Sequence, residues 1–190
     1  MTALTSPEHE KTAPLVLTIG HSTRPIDVFT GLLAANGVTH LIDVRTIPKS
    51  RHNPQFNSDA LAGSLRDASI AYTHIPGLGG LRRASPDSPN AAWRNPSFRG
   101  YADYMQTPAF AEHLAEVIEL AKSERPALMC AEAVPWRCHR SLIADALVAR
   151  GIAVEEIVSE TRRTSHKLTP FARVDATSVT YPAIDSGHAG

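Results

Sequence analysis

The stretch ALMCAEAVPWRCHRSLIADALVARG, residues 127–151, decides the fold. ALMCAE (127–132) opens with an almost wholly apolar run, which suits a strand covered on both faces. CHRSLIADALVARG then reads as a helix that buries Leu142, Ile143, Ala146 and Leu147 and stops at Gly151. A buried strand passing through a polar loop into an amphipathic helix is the repeating half of a parallel α/β sheet.

Working outward, the pattern recurs. LVLTIGH (15–21) is a β-rich run ending in the polar turn His21-Ser22-Thr23, and Pro25 suits the first turn of a helix carrying Ile26, Phe29, Leu32 and Leu33 inward to Gly37. THLIDVR (39–45) predicts a second strand, NSDALAGSLRDASI a helix with Leu61 and Leu65 four apart, and AYTHIP (71–76) a third strand. Thr107-Pro108 caps a helix with Phe110, Leu114, Val117, Ile118 and Ala121 on one face, and AVEEIV follows the decisive stretch as another strand. From Gly77 to about Tyr101 the chain is dense in Gly, Pro, Ser, Asn and Arg without a period, a length of loop that is usually functional. The expectation is one α/β domain over 15–174. It has a mostly parallel sheet of about five strands, helices on both faces, and a long Gly/Pro/Arg-rich insertion after the third strand. Residues 1–14 and 175–190 read as disordered tails.

At 190 residues and 43% hydrophobic, the chain suffices for one sizeable core and is short for two. A formal net charge of zero excludes a global pull toward nucleic acid or membrane, so any preference must be local. Between Arg45 and Arg99 eight Lys/Arg face three acids, which makes that segment basic. The start of the chain has no apolar signal region and no later run matches a membrane span, which predicts a cytoplasmic protein without a membrane partner. The two cysteines, nine residues apart counted inclusively, make no disulfide framework, and their spacing with His139 is not that of a zinc finger or ribbon.

In parallel sheets, ligands bind at the carboxyl ends of the strands. That rule gathers His21, Ser22, Asp43, Arg45, Cys130 and Glu132 at one rim, with Cys138, His139 and Arg140 opening the helix opposite. Helix N-termini and arginine forks both favour anions, so Arg45 and Arg140 are candidate ligand contacts. Cys130 and Cys138 are candidate nucleophiles, the second better placed for a lowered pKa, and Glu132 and His139 are candidate proton carriers. Each has a plainer alternative: Cys130 as a small hydrophobe, Asp43 and Arg45 as a structural ion pair, Ser22 or Thr23 as a helix cap, Asn53 and Asn57 as loop caps. Trp93 and Arg94 sit in WRNPSFRGYADY, whose basic and aromatic residues suit stacking on a base, or packing on the core.

TIGHSTR, LIDVRTIPKSRHNPQFN, HIPGLGG, WRNPSFRGYADYM and LMCAEAVPWRCHRSLIADAL together resemble the bacterial and archaeal domain-of-unknown-function family 488, from about Thr18 to Val174. The resemblance implies a small cytosolic α/β domain without implying a particular activity. It also implies that His21, Ser22, Asp43, Arg45, Asn53, Asn57, Cys130, Glu132, Cys138, His139 and Arg140 are hallmark positions. The favoured expectation is an enzyme, a hydrolase or transferase, acting on a phosphorylated or nucleotide-like small molecule. The alternatives are a nucleic-acid-binding or processing module using the 45–104 segment, and a metal or thiol redox sensor. No cofactor or metal ligand set is assigned.

Overall fold

The apolar runs at 15–20 and 126–130 become neighbouring parallel strands at the centre of a six-stranded sheet. The computed structural model describes residues 13–183. In chain order these form β1 (Leu15–Gly20), α1 (Ile26–Ala35), β2 (His40–Asp43), α2 (Ser58–Asp67), β3 (Ala71–His74), α3 (Pro96–Tyr104) and α4 (Pro108–Leu120). They continue with β4 (Pro126–Cys130), α5 (Arg140–Val148), β5 (Ala153–Ile157), β6 (Arg163–Ser165), β7 (Arg173–Asp175) and β8 (Ser178–Thr180). The sheet order is β3-β2-β4-β1-β5-β6, parallel except for the antiparallel edge strand β6, with β7 and β8 forming a separate hairpin.

Alternation along the strands divides the core between two faces. Leu17, Ile19, Leu41 and Met129 pack against Phe29 and Leu33 of α1 and Leu61 and Leu65 of α2. Val16, Ile42, Leu128 and Val154 pack on the other side with Tyr101, Phe110, Leu114 and Leu142 from α3, α4 and α5. The chain is thus a single α/β domain with helices on both faces. Gly37 and Gly151 end α1 and α5 at φ +68° and +76°, left-handed values that favour glycine.

Three features differ from the reading of the sequence. β6 (Arg163–Ser165) adds a sixth strand to the five read from the apolar runs. Part of the Gly/Pro/Arg-rich segment is helical: Asn95 accepts from the Ser97 amide and starts α3 at Pro96. The rest is tied down by its own polar groups, with Asp103 accepting from Ser85 N, Ser88 Oγ and Asn90 Nδ2. Finally, residues 175–183, read as part of a disordered tail, carry β8 and the fully buried Tyr181. Asp145 on α5 holds that end, accepting from Tyr181 Oη at 2.8 Å, His166 Nε2 at 2.7 Å and Thr169 N at 3.0 Å. A buried carboxylate needs several donors, and the C-terminal segment supplies them. The expectations for residues 1–12 and 184–190 lie outside the described residues.

Candidate functional site

Parallel pairing brings the strand ends together. Gly20 stands opposite Cys130 and Asp43 opposite Met129, and the ladder runs on as His21 N donates to Cys130 O at 2.9 Å and Ser22 N to Ala131 O at 3.0 Å. A Cβ at Gly20 would lie 1.8 Å from the Glu132 carbonyl oxygen, so the loop after β4 crosses the end of β1 where only glycine fits. Beyond this crossing a cavity of about 460 Å³ opens, lined among others by His21, Arg45, Cys130, Glu132, Cys138 and His139.

The two thiols form its floor. Their Sγ atoms are 2.6 Å apart, and both residues are free cysteines and buried. Arg140 Nε donates to Cys130 Sγ at 3.0 Å, leaving the Cys130 thiol to donate onward to Cys138. That hydrogen bond holds Cys138 down at about 7 against the opposing effect of burial, helped by the Arg140 charge and backbone amide at the start of α5. Cys130 moves the other way: donation to Cys138, and then burial, push its thiol up. The pair therefore gives up one proton readily and resists losing the second.

The imidazoles have fixed tautomers. His139 Nε2 faces the Val44 carbonyl oxygen at 3.1 Å and donates to it, so Nδ1, 3.6 Å from Cys138 Sγ, is an acceptor. Likewise His21 Nδ1 donates to Ser22 O at 2.7 Å and its ring stacks on Phe56 at 4.2 Å. Burial lowers both histidines, which keeps them neutral near pH 7.

Asp43 is fully buried and grips Arg45 through Nε at 2.8 Å and Nη2 at 2.6 Å, while Nη2 also reaches Phe56 O at 2.8 Å. Among the described residues Arg45 Nη1 has only a long contact, 3.4 Å, to His21 Nε2, so part of this one nitrogen's donor capacity remains for the cavity. Asp43 is thus the structural partner that aims Arg45. Lys49, Ser50 and Arg137 also line the opening, with Ile47, Leu81 and Phe98 as its apolar part.

Other expected residues lie elsewhere. Arg140 is fully buried and turned inward: Nη2 donates to Glu132 O at 2.8 Å and Nη1 to Glu156 at 3.1 Å, so its fork is filled by the protein and not by a ligand in this cavity. A buried guanidinium needs such partners, and β5 provides the carboxylate. Ser22 sits at the turn with φ +50° and does not line the cavity; α1 is entered through Pro25 without a side-chain cap. Asn53 and Asn57 brace their own loop: Asn57 Oδ1 accepts from Ser50 N at 2.7 Å, and Asn53 N donates to Ser50 Oγ at 3.0 Å. Trp93 stacks on Phe98 at 4.8 Å and meets Phe171 and Tyr181 edge-on, while Arg94 is exposed and away from the cavity. Tyr101 is buried with its hydroxyl on Leu78 O, and Tyr104 lies under the Arg82 guanidinium, so these aromatics serve packing instead of offering a stacking platform.

The reading of the sequence named none of four residues for the site: Lys49 and Arg137, which line the cavity, and Glu156 and Thr18, of which Glu156 pairs with Arg140 behind it. The signal for Glu156 was present: two acids, Glu155 and Glu156, interrupt an otherwise apolar strand next to β1. Thr18 Oγ1 donates to Glu156 from the neighbouring strand. Among the described residues no group of three or more His, Cys, Asp or Glu side chains is placed to hold a metal ion. No helix among them is long and apolar enough to cross a membrane.

No curated protein and no solved structure matches the chain. A family model described as "Domain of unknown function DUF488" matches residues 25–147, from the start of α1 to the end of α5, a span that carries Asp43, Arg45, both cysteines and His139. The match covers more than half of the chain, which therefore belongs to the DUF488 family.

Proposed function

We propose that the protein is an enzyme, a hydrolase or transferase, that binds a phosphorylated or nucleotide-like small molecule in the rim cavity and attacks it with the Cys138 thiolate. The observation that carries this reading is the relay from Arg140 to Cys130 to Cys138, which stabilises a thiolate on a cavity wall. A thiolate at a helix start, with a neutral imidazole nitrogen beside it, has the components of an activated nucleophile. Such a nucleophile bonds to the substrate as a leaving group departs with a proton, and water in a hydrolase, or an acceptor group in a transferase, then breaks the bond to sulfur and restores the thiolate. His139 Nδ1 is placed to take the thiol proton, and the exposed Glu132 carboxylate is the second proton carrier at the opening.

The preference for an anion rests on the cations around the opening. Arg45 keeps donor capacity on Nη1, and Lys49 and Arg137 are exposed, with neither in an ion pair among the described residues. Among the described residues Glu132 is the one acid lining the cavity. The apolar side chains of Ile47, Leu81 and Phe98 suit the ring of a base or sugar attached to the anion. A thermal-shift series with nucleoside monophosphates, sugar phosphates and inorganic phosphate tests the reading on the wild type and on Lys49→Ala/Arg137→Ala. Stabilisation of the wild type that the double variant loses supports it, because only binding to the native state raises Tm. Stabilisation by none of these anions contradicts it.

A further inference from the structure

We infer that Cys130 and Cys138 are a site of reversible oxidation, in which a hydroperoxide converts the thiol pair into an intramolecular disulfide. Both sulfurs line the same open cavity, so a small oxidant reaches them without unfolding. A disulfide bond, about 2.05 Å long, would form between two sulfurs that are already in direct contact. The chain between them is the loop 131–137, whose only regular element is the short 3-10 turn Pro135–Arg137, so neither β4 nor α5 must break for the sulfurs to meet. Arg140, donating to Cys130 and packed under both residues, holds the pair together and keeps negative charge on sulfur.

The two residues have different parts. The Cys138 thiolate attacks one peroxide oxygen; the sulfur–oxygen bond forms as the oxygen–oxygen bond breaks, and the departing hydroxide takes a proton from solvent. Cys130 then attacks the sulfenic sulfur of Cys138. The sulfur–sulfur bond forms, the sulfur–oxygen bond breaks, and the hydroxyl leaves as water with the Cys130 proton. In sum two thiols lose two electrons and two protons, and hydrogen peroxide becomes two waters. A dithiol reductant reverses the step by exchange. If Cys138 is the nucleophile argued above, oxidation also switches that chemistry off, a consequence that rests on the proposed function; the oxidation itself does not.

The test reads the sulfurs directly. Full-length protein is treated with stoichiometric hydrogen peroxide and followed by intact mass and peptide mapping. The expected product has lost two hydrogens, joins the Cys130 and Cys138 peptides, and returns to the starting mass with dithiothreitol. Cys130→Ala is expected to stop at a Cys138 sulfenic acid that dimedone traps, and Cys138→Ala to leave Cys130 unmodified. Should Cys130→Ala fail to fold, dimedone added together with peroxide to the wild type is expected to capture Cys138 and not Cys130. Cys138 passing to sulfinic acid while Cys130 stays a free thiol overturns the inference. So does a folded protein whose thiols both resist peroxide that oxidises them in urea. Neither result bears on anion binding, so the two proposals fail separately.

Discussion

Arg140 Nη1 lies 3.1 Å from Glu156 Oε2, an ion pair between a fully buried guanidinium and a partly buried carboxylate that joins the first residue of α5 to β5 directly behind the thiols. Breaking such a pair from one side strands the other charge. Arg140→Met is expected to destabilise the protein by about 3–5 kcal/mol, and Arg140→Met with Glu156→Leu to recover most of that loss. Urea unfolding of the single and double variants measures it. Equal loss in both would show that Arg140 contributes chiefly through Cys130 and the Glu132 carbonyl.

Gly20→Ala is expected to cost at least about 2 kcal/mol, because the added methyl meets the Glu132 carbonyl of a crossing backbone segment and not a flexible side chain. The same change pushes the 131–133 loop away from β1 and should alter the reactivity of Cys138 even where the protein remains folded. Urea unfolding and thiol alkylation read the two effects. Gly63→Ala, inside α2 where the new Cβ meets nothing within 4 Å, is the contrasting substitution and should stabilise by up to about 1 kcal/mol.

Asp145→Ala removes the acceptor for His166, Thr169 and Tyr181 together, with an expected loss of about 2–4 kcal/mol. The released segment should be cut by trypsin at the exposed Arg173 much faster than in the wild type. Tyr181→Phe, which removes one of those donors, should lose about 1 kcal/mol and leave cleavage slow.

Stability should depend on pH in two windows. His21 and His139 are lowered by burial, so below their ordinary 6.5 the unfolded chain binds more protons than the native state and stability falls as pH falls. Cys138 is held at about 7 instead of 9.0, so its contribution is full above the unfolded value and is lost as pH falls from 9 toward 7. Cys130, raised, acts in the opposite direction above pH 9. Urea unfolding between pH 6 and 9 in the wild type and in Cys138→Ser checks this; the upper slope should vanish in the variant.

The order of strands and helices was legible because each apolar run has one period: Leu142, Ile143, Ala146 and Leu147 can form a common face only as a helix. The rim was legible for the same reason, since parallel strands place His21, Arg45 and Cys130 at one end whatever the sheet order. What the sequence concealed were partners chosen by tertiary contact. Arg140 looked like a ligand contact because helix starts favour anions, but the anion it meets is Glu156, brought there by the β1–β5 pairing. Tyr181 looked like tail because its partner Asp145 lies 36 residues away on another element.

The charge state and setting of the Cys138 sulfur govern both the proposed attack and the proposed oxidation. Alkylation of Cys138 by iodoacetamide and by the anionic iodoacetate, followed by peptide mass across pH 5.5–9.5, reads both properties together. The expected midpoint is about 7 on Cys138, with Cys130 unreactive. Relative to free cysteine, the rate ratio should shift toward iodoacetate, and Lys49→Ala/Arg137→Ala or added salt should abolish that shift. A midpoint at the ordinary thiol value of 9.0, or a rate ratio like that of free cysteine, would show that the rim cavity does not present a thiolate to anions.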